Sequence, residues 1–466
     1  MKITQTISDI NQQTTLSDTL ARYWPVPFLL LWPVVLALPS LMGFGTTRAL
    51  FLVVFILGIL PLLISVLIPQ ILSRSWSASW LIISLLAVLM TYAIYRAPDN
   101  IMNATTKFGA TMGPIIFFLF LVLSLIQGHT EMRVRILLYS LPLFVALSVG
   151  LHYAFPPTSL GGAPNSILSA FGVTLPRLSN LPGIVGSSNI AIVSGASLLC
   201  AVFLASSHER ARLVAIFLLI PSAWALILSD TRATIFFSLI VIFLYLFSSS
   251  RASKLIAQIA ISFCLVSAPI LTLLFYTANE IGFGEILGRS QDIGYRLGAG
   301  TGRPIVWAAV FDELTRFKVN HIVGYGLYGD NSSGVSSSYS WMFSGLIGPP
   351  TYHNTALQFI LDTGYVTLFL FFAILFYSTI LISDSVLQER TKKLMLLMLT
   401  LICLGGTTES FFTVQKFESL FIGLIVIGVA FAAPRGRLKV GGIDQSIGVH
   451  MGRGAKGGTT RRQGLR

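Results

Sequence analysis

Hydrophobic residues in this chain fall in runs of about 17 to 25, the length that carries a helix through the hydrocarbon core of a bilayer. Twelve such runs can be marked, at roughly 24–43, 48–72, 78–95, 108–127, 136–154, 190–206, 213–229, 233–249, 255–277, 356–382, 394–412 and 418–433. Polar residues gather between the runs. The pattern predicts an all-α polytopic membrane protein with about 12 transmembrane helices. It divides the chain into a polar N-terminus (1–23), nine spans (24–277), a long polar insert (278–355), three more spans (356–433) and a basic, Gly-rich tail (434–466) that is expected to be disordered. Residues 1–22 lack a cleavable signal-peptide pattern, so the run from Trp24 reads as a retained span.

Charge gives the orientation. With the N-terminus inside, the inner loops hold Arg74, Arg133 and Arg135, Arg210 and Arg212, Arg251 and Lys254, and Arg390, Lys392 and Lys393. By the positive-inside rule both termini are cytoplasmic and the insert is external. A net charge of +13 then reflects topology and contact with anionic lipid, not nucleic acid. The three cysteines, Cys200, Cys264 and Cys403, all lie in predicted spans, so neither a disulfide framework nor a thiolate metal site is expected.

Only 11 % of residues are charged, and the insert concentrates them: Arg289, Arg296, Arg303, Arg316, Asp292, Asp312, Glu313, Asp330, His321 and His353. Its last residues, Tyr352 to Gln358, run straight into a span. A second external loop, 155–189, is rich in turn formers, among them Pro182-Gly183.

Three side chains stand out. Arg232, beside Asp230, sits at the outer end of a span, where positive-inside bias works against arginine. Snorkelling toward water is the plain explanation, and anion binding the functional one. Arg303 precedes Pro304 and an apolar pattern of helical spacing (Ile305, Val306, Val310, Phe311, Leu314). A cation at a helix N-terminus is unfavourable unless an anion binds there too. Arg289 and Arg296 are lesser candidates of the same kind. His353 lies just before a span, with Asn354 or Thr355 as N-cap. A helix N-terminus keeps a nearby imidazole neutral and able to accept a proton. His321 lacks that setting and reads as structural. No DxD, HExxH, CxxC, P-loop or Gly-rich dinucleotide motif occurs, and no clustered carboxylates suggest a metal. Arginine forks plus one histidine point to an anionic phosphate ligand and a base acting on a hydroxyl.

These residues resemble the O-antigen ligase and O-antigen polymerase superfamily of bacterial inner-membrane glycan transferases. The likeness rests on Asp230-Thr231-Arg232-Ala233, Gly302-Arg303 with Trp307, Gly324-Tyr325-Gly326, and His353-Asn354-Thr355-Ala356-Leu357-Gln358 followed by Asp362-Thr363-Gly364. Two departures are Asp362, where the family more often has Glu, and Tyr365-Val366, where a Gly-Leu pair is common. The resemblance implies metal-independent, cofactor-free, inverting transfer of a glycan from undecaprenyl pyrophosphate at the periplasmic face. The acceptor hydroxyl is on the lipid A core in ligases and on a second lipid-linked glycan in polymerases. Arg232 and Arg303 would hold the pyrophosphate, with Arg289, Arg296, Trp307, Asn354 and Gln358 lining the substrates. His353 would deprotonate the acceptor. A lipid-linked sugar flippase is the competing class, and it would favour ionisable residues in mid-membrane and inverted repeats, neither of which is evident.

Overall fold

The computed structural model describes residues 23–32, 56–58, 78–126, 130–155, 164–206, 212–280, 303–343, 353–413 and 416–435. Apart from one small hairpin it is built of helices: α1 (Ala78–Tyr95), α2 (Ala104–Ile126), α3 (Thr130–Ala154), α4 (Ser166–Ser169), α5 (Ser187–Ser206), α6 (Arg212–Leu228), α7 (Arg232–Phe247), α8 (Ser250–Glu280), α9 (Arg303–Thr315), α10 (Asn320–Val323), α11 (Gly329–Ser333), α12 (Thr355–Asp384), α13 (Glu389–Gly406) and α14 (Phe417–Ala432). Ten of the twelve expected apolar segments are helices here, and the first two lie largely outside the described residues, as does nearly all of the basic tail. Five helices, α2, α3, α5, α8 and α12, are long and apolar enough to cross a membrane.

Large apolar side chains also cover the outside of the bundle. Phe236, Leu239, Phe243 and Phe247 on α7, and Leu255, Ile259, Ile270 and Leu273 on α8, are all exposed. A stripe of that extent facing water would be an association or aggregation surface, whereas facing lipid it is at no disadvantage. Inside, small residues bring helices together. A Cβ on Gly195 of α5 would stand 2.3 Å from the Ser238 hydroxyl of α7. Pro114, Pro142, Pro221 and Pro269 lie inside helices, a use of proline that membrane helices tolerate.

The two ends of the bundle differ. At one end the basic first turns of α13 close the C-termini of other helices: Arg390 donates to the Ser206 carbonyl (3.1 Å) and Lys393 to the Ser248 carbonyl (2.7 Å). Cations satisfy the orphan carbonyls and the negative end of the dipole there. At the other end α5, α7, α12 and α14 begin and α6 and α13 finish. The hairpin Asn180–Leu181 with Ile184–Val185 leads into α5 at this end. It turns at Pro182-Gly183, where Gly183 (φ 82°) supplies the left-handed residue that a tight turn requires.

Helix α12 is not one straight rod. Gly364 (φ 83°, ψ 169°) breaks it into Thr355–Thr363 and a longer apolar half. The break receives Gly324-Tyr325-Gly326: the Tyr325 and Gly326 amides donate to the Leu361 (2.7 Å) and Asp362 (3.0 Å) carbonyls. Asp362 in turn accepts from the Gly329 amide (2.8 Å) and from Gln358 (2.8 Å). Two of the sequence motifs thus meet as backbone packed on backbone. A Cβ on Gly364 would lie 2.2 Å from the Ile322 carbonyl oxygen. Gly364→Ala is therefore expected to cost about 1–3 kcal/mol from backbone strain alone, with the clash in addition. Thermal unfolding in detergent measures it, and an unchanged midpoint would show that the packing of Gly324-Tyr325-Gly326 on α12 does not depend on this glycine.

Candidate functional site

The site is assembled around a residue that sequence reasoning passed over. Helix α13 ends at Gly405-Gly406, and a Cβ on Gly406 would stand 2.8 Å from the Thr355 hydroxyl oxygen, so the glycine lets α13 finish against the start of α12. The chain beyond it is then tied to α12. The Asn354 amide group donates to the Thr407 carbonyl (3.0 Å), and the Thr355 hydroxyl to the Glu409 carbonyl (3.1 Å). Glu409 is thereby held, buried, beside His353.

Three basic side chains from distant parts of the chain converge on that carboxylate. Arg303, the first residue of α9, gives Nη2 to Oε1 at 2.7 Å and Nε to the Thr408 carbonyl at 3.0 Å. Lys416 Nζ lies 3.0 Å from Oε2, and His353 Nδ1 lies 3.1 Å from the same oxygen. Burial works to raise the Glu409 carboxyl, but Lys416, His353 and Arg303 together outweigh it and hold the group well below the usual carboxylate range. Burial disfavours the cationic form of His353, and Arg303 and Lys416 add to this. Although Glu409 pulls the other way, the imidazole is left below its ordinary value. The ring stays 30 % exposed and so can be reached by a reactant.

His353 adopts a left-handed backbone (φ 51°), a conformation costing an ordinary side chain roughly 1–2 kcal/mol. Strain of this kind persists where surrounding structure enforces it, as it does at functional sites. Asn354 is the N-cap, accepting from the Leu357 amide (3.1 Å), so His353 lies just outside the helix and its lowered pKa comes chiefly from burial.

Arg232 begins α7 as expected and is exposed. It donates to the Ser166 hydroxyl (3.2 Å), while Asp230 accepts from the Ser166 hydroxyl (2.7 Å) and amide (3.1 Å). The α6–α7 turn reaches the Glu409 cluster through the first residues of α5. Arg177 bridges the Ser229 carbonyl (2.9 Å) and the Ser187 hydroxyl (2.6 Å), and Lys416 donates to the neighbouring Ser188 (2.9 Å). The N-terminus of α5 therefore stands between the two basic groups. Four helices, α5, α7, α12 and α14, turn their N-termini to this end, and α9 brings Arg303 to it, so partial positive charge adds to the side chains.

The other expected contacts fall elsewhere. Trp307 is fully buried, its ring tilted against Phe275 (centroids 6.1 Å apart) where α9 packs on α8. Asn354 is buried, with its amide group held by Ser267 and Thr407. Gln358 is buried and bonded to Asp362. These three belong to the scaffold under the site. Arg289 and Arg296 lie outside the described residues. His321 sits in a buried network in which the Lys318 amide donates to its Nδ1 (3.1 Å), with Tyr325 and Glu313 beyond.

The apolar run 394–412 takes in Glu409, and Lys416 lies in the short gap between that run and 418–433, so neither stands out as a polar insert does. An ionisable residue inside a predicted span is itself a pointer to function, and Lys416 breaks the positive-inside pattern as Arg232 does. Arg177 carries the same signal in the loop before α5. Among the described residues no three His, Cys, Asp or Glu side chains gather to hold a metal ion. No family model and no curated protein matches the chain.

Proposed function

We propose that this protein is an O-antigen ligase-like glycosyltransferase of the bacterial inner membrane. In this reading it moves a glycan from undecaprenyl pyrophosphate to a hydroxyl of the lipid A core at the periplasmic face. One observation carries the reading: Arg303, Lys416 and His353 converge on one carboxylate at the end of the bundle where helix N-termini collect. Basic side chains and backbone N–H groups suit a diphosphate whose charge grows as it leaves. A neutral, partly exposed imidazole suits removal of the acceptor's proton. Bond making and breaking balance simply. The acceptor oxygen attacks the anomeric carbon, its proton passes to His353 Nε2, and the sugar–phosphate bond breaks to release undecaprenyl pyrophosphate. Arg303 and Lys416 would hold the diphosphate, and Arg232 would extend the cationic surface toward α4.

Purified protein incubated with lipid-linked glycan and lipid A core tests the proposal. Core-linked glycan is the expected product. Longer lipid-linked chains would make the protein a polymerase, and relocation of the lipid without a new bond would make it a flippase. Transfer is expected to survive EDTA, since cationic side chains take the part of a metal. Activity lost to chelator and restored by Mg²⁺ or Mn²⁺ would overturn that point.

The orientation has its own test. Ser337 is exposed, and Cys200, Cys264 and Cys403 are buried, so a cysteine placed by Ser337→Cys is the reactive one. It is expected to react with an impermeant maleimide added to whole spheroplasts. Labelling only after the membrane is broken would put the site on the cytoplasmic side.

A further inference from the structure

We infer that Glu409 is a positioning residue that sets the tautomer and the proton affinity of His353. The inference rests on the transfer reading above. An arginine and a lysine bond the one carboxylate and hold it well below the usual carboxylate range, so Glu409 is ionised. An ionised carboxylate has acceptors only. For the neutral imidazole to bond with Oε2 across 3.1 Å, the ring hydrogen must sit on Nδ1. The lone pair is then on Nε2, the one ring atom left to take a proton from a reactant. Among the described residues the charged groups facing His353 are Glu409, Arg303 and Lys416. When the ring gains its proton, Glu409 is the only one of the three that favours the cation.

Glu409 also fixes distance. Oε1 holds Arg303 and Oε2 holds both His353 and Lys416, so one side chain sets the spacing between the base and the groups proposed to grip the diphosphate. Its backbone is pinned by Thr355, next in sequence but one to the histidine. A salt bridge serving stability alone would not need a strained histidine backbone on one oxygen and two cations shared across both.

The test reads the imidazole directly. Protein labelled with ¹⁵N-histidine is studied by NMR in nanodiscs, with His353→Gln identifying the His353 signals. In the native protein the neutral ring is expected to carry its hydrogen on Nδ1. In Glu409→Gln the titration midpoint is expected to fall, because the carboxylate bonded to the ring is gone. Glu409→Asp, which keeps the charge, is expected to restore it in part. Turnover in Glu409→Gln is expected to fall about 10- to 10⁴-fold, the span seen when a histidine loses its orienting partner, with the pH–rate midpoint moving down. A native ring protonated on Nε2, or a midpoint unmoved in a folded Glu409→Gln, overturns the inference. Absence of glycan transfer by native protein whose His353 still shows the expected tautomer overturns the transfer reading instead.

Discussion

His353→Ala is expected to lose about 10²- to 10⁴-fold in transfer rate, the worth of a positioned general base, while donor binding persists through Arg303 and Lys416. His353→Gln keeps size and hydrogen bonding but accepts no proton at neutral pH, and it is expected to fail equally. The native rate has a direction with pH. The working form is the neutral ring, and burial lowers its pKa from the ordinary value of about 6.5. Activity is therefore full above that lowered value and declines as pH falls through it. Initial rates against pH, with donor binding followed separately, measure both. His321→Ala makes the contrast. It breaks the buried network with Glu313 and Tyr325, so stability falls and the pH profile stays in place. If His353→Gln turns over normally, the base lies elsewhere. Asp330, whose carboxyl burial pushes up to about 6, is then the first candidate. Asp230 is less suited, since both its oxygens already accept from Ser166.

Arg303→Lys is the second large effect. Lysine keeps the charge but cannot serve the Thr408 carbonyl and Glu409 together, as Nε and Nη2 of the arginine do. Losing a charge-assisted hydrogen bond worth about 1.5–3 kcal/mol corresponds to roughly 10- to 100-fold in transfer. Arg232→Lys is expected to impair transfer as well. Parental rates in both variants would reduce these arginines to generic positive charge.

The sequence reading anticipated Arg303 at a helix N-terminus and asked for an anion to accompany it. In the fold that anion is the chain's own Glu409, which a diphosphate would have to share or displace. Apolar run length located ten helices, because crossing a bilayer needs a minimum span whatever the neighbours are. Run length alone carries the segment past Gly406 to Phe411 and Phe412, which are buried in a loop, although Gly405-Gly406-Thr407-Thr408-Glu409-Ser410 interrupts the apolar residues there. It also could not see the break at Gly364, because the apolar residues resume directly after Asp362-Thr363-Gly364 and the run keeps its length. Asn354 and Gln358 belong to the motif that carries the resemblance, yet their side chains face the scaffold. A motif records which residues a site needs, and some of those hold other residues in place.

The anomeric configuration of the new glycosidic bond, read by NMR from a donor of known configuration, tests the account most directly. A single displacement by a hydroxyl that His353 deprotonates inverts that centre. Inversion is the expected result, and retention, or no new bond at all, would contradict it.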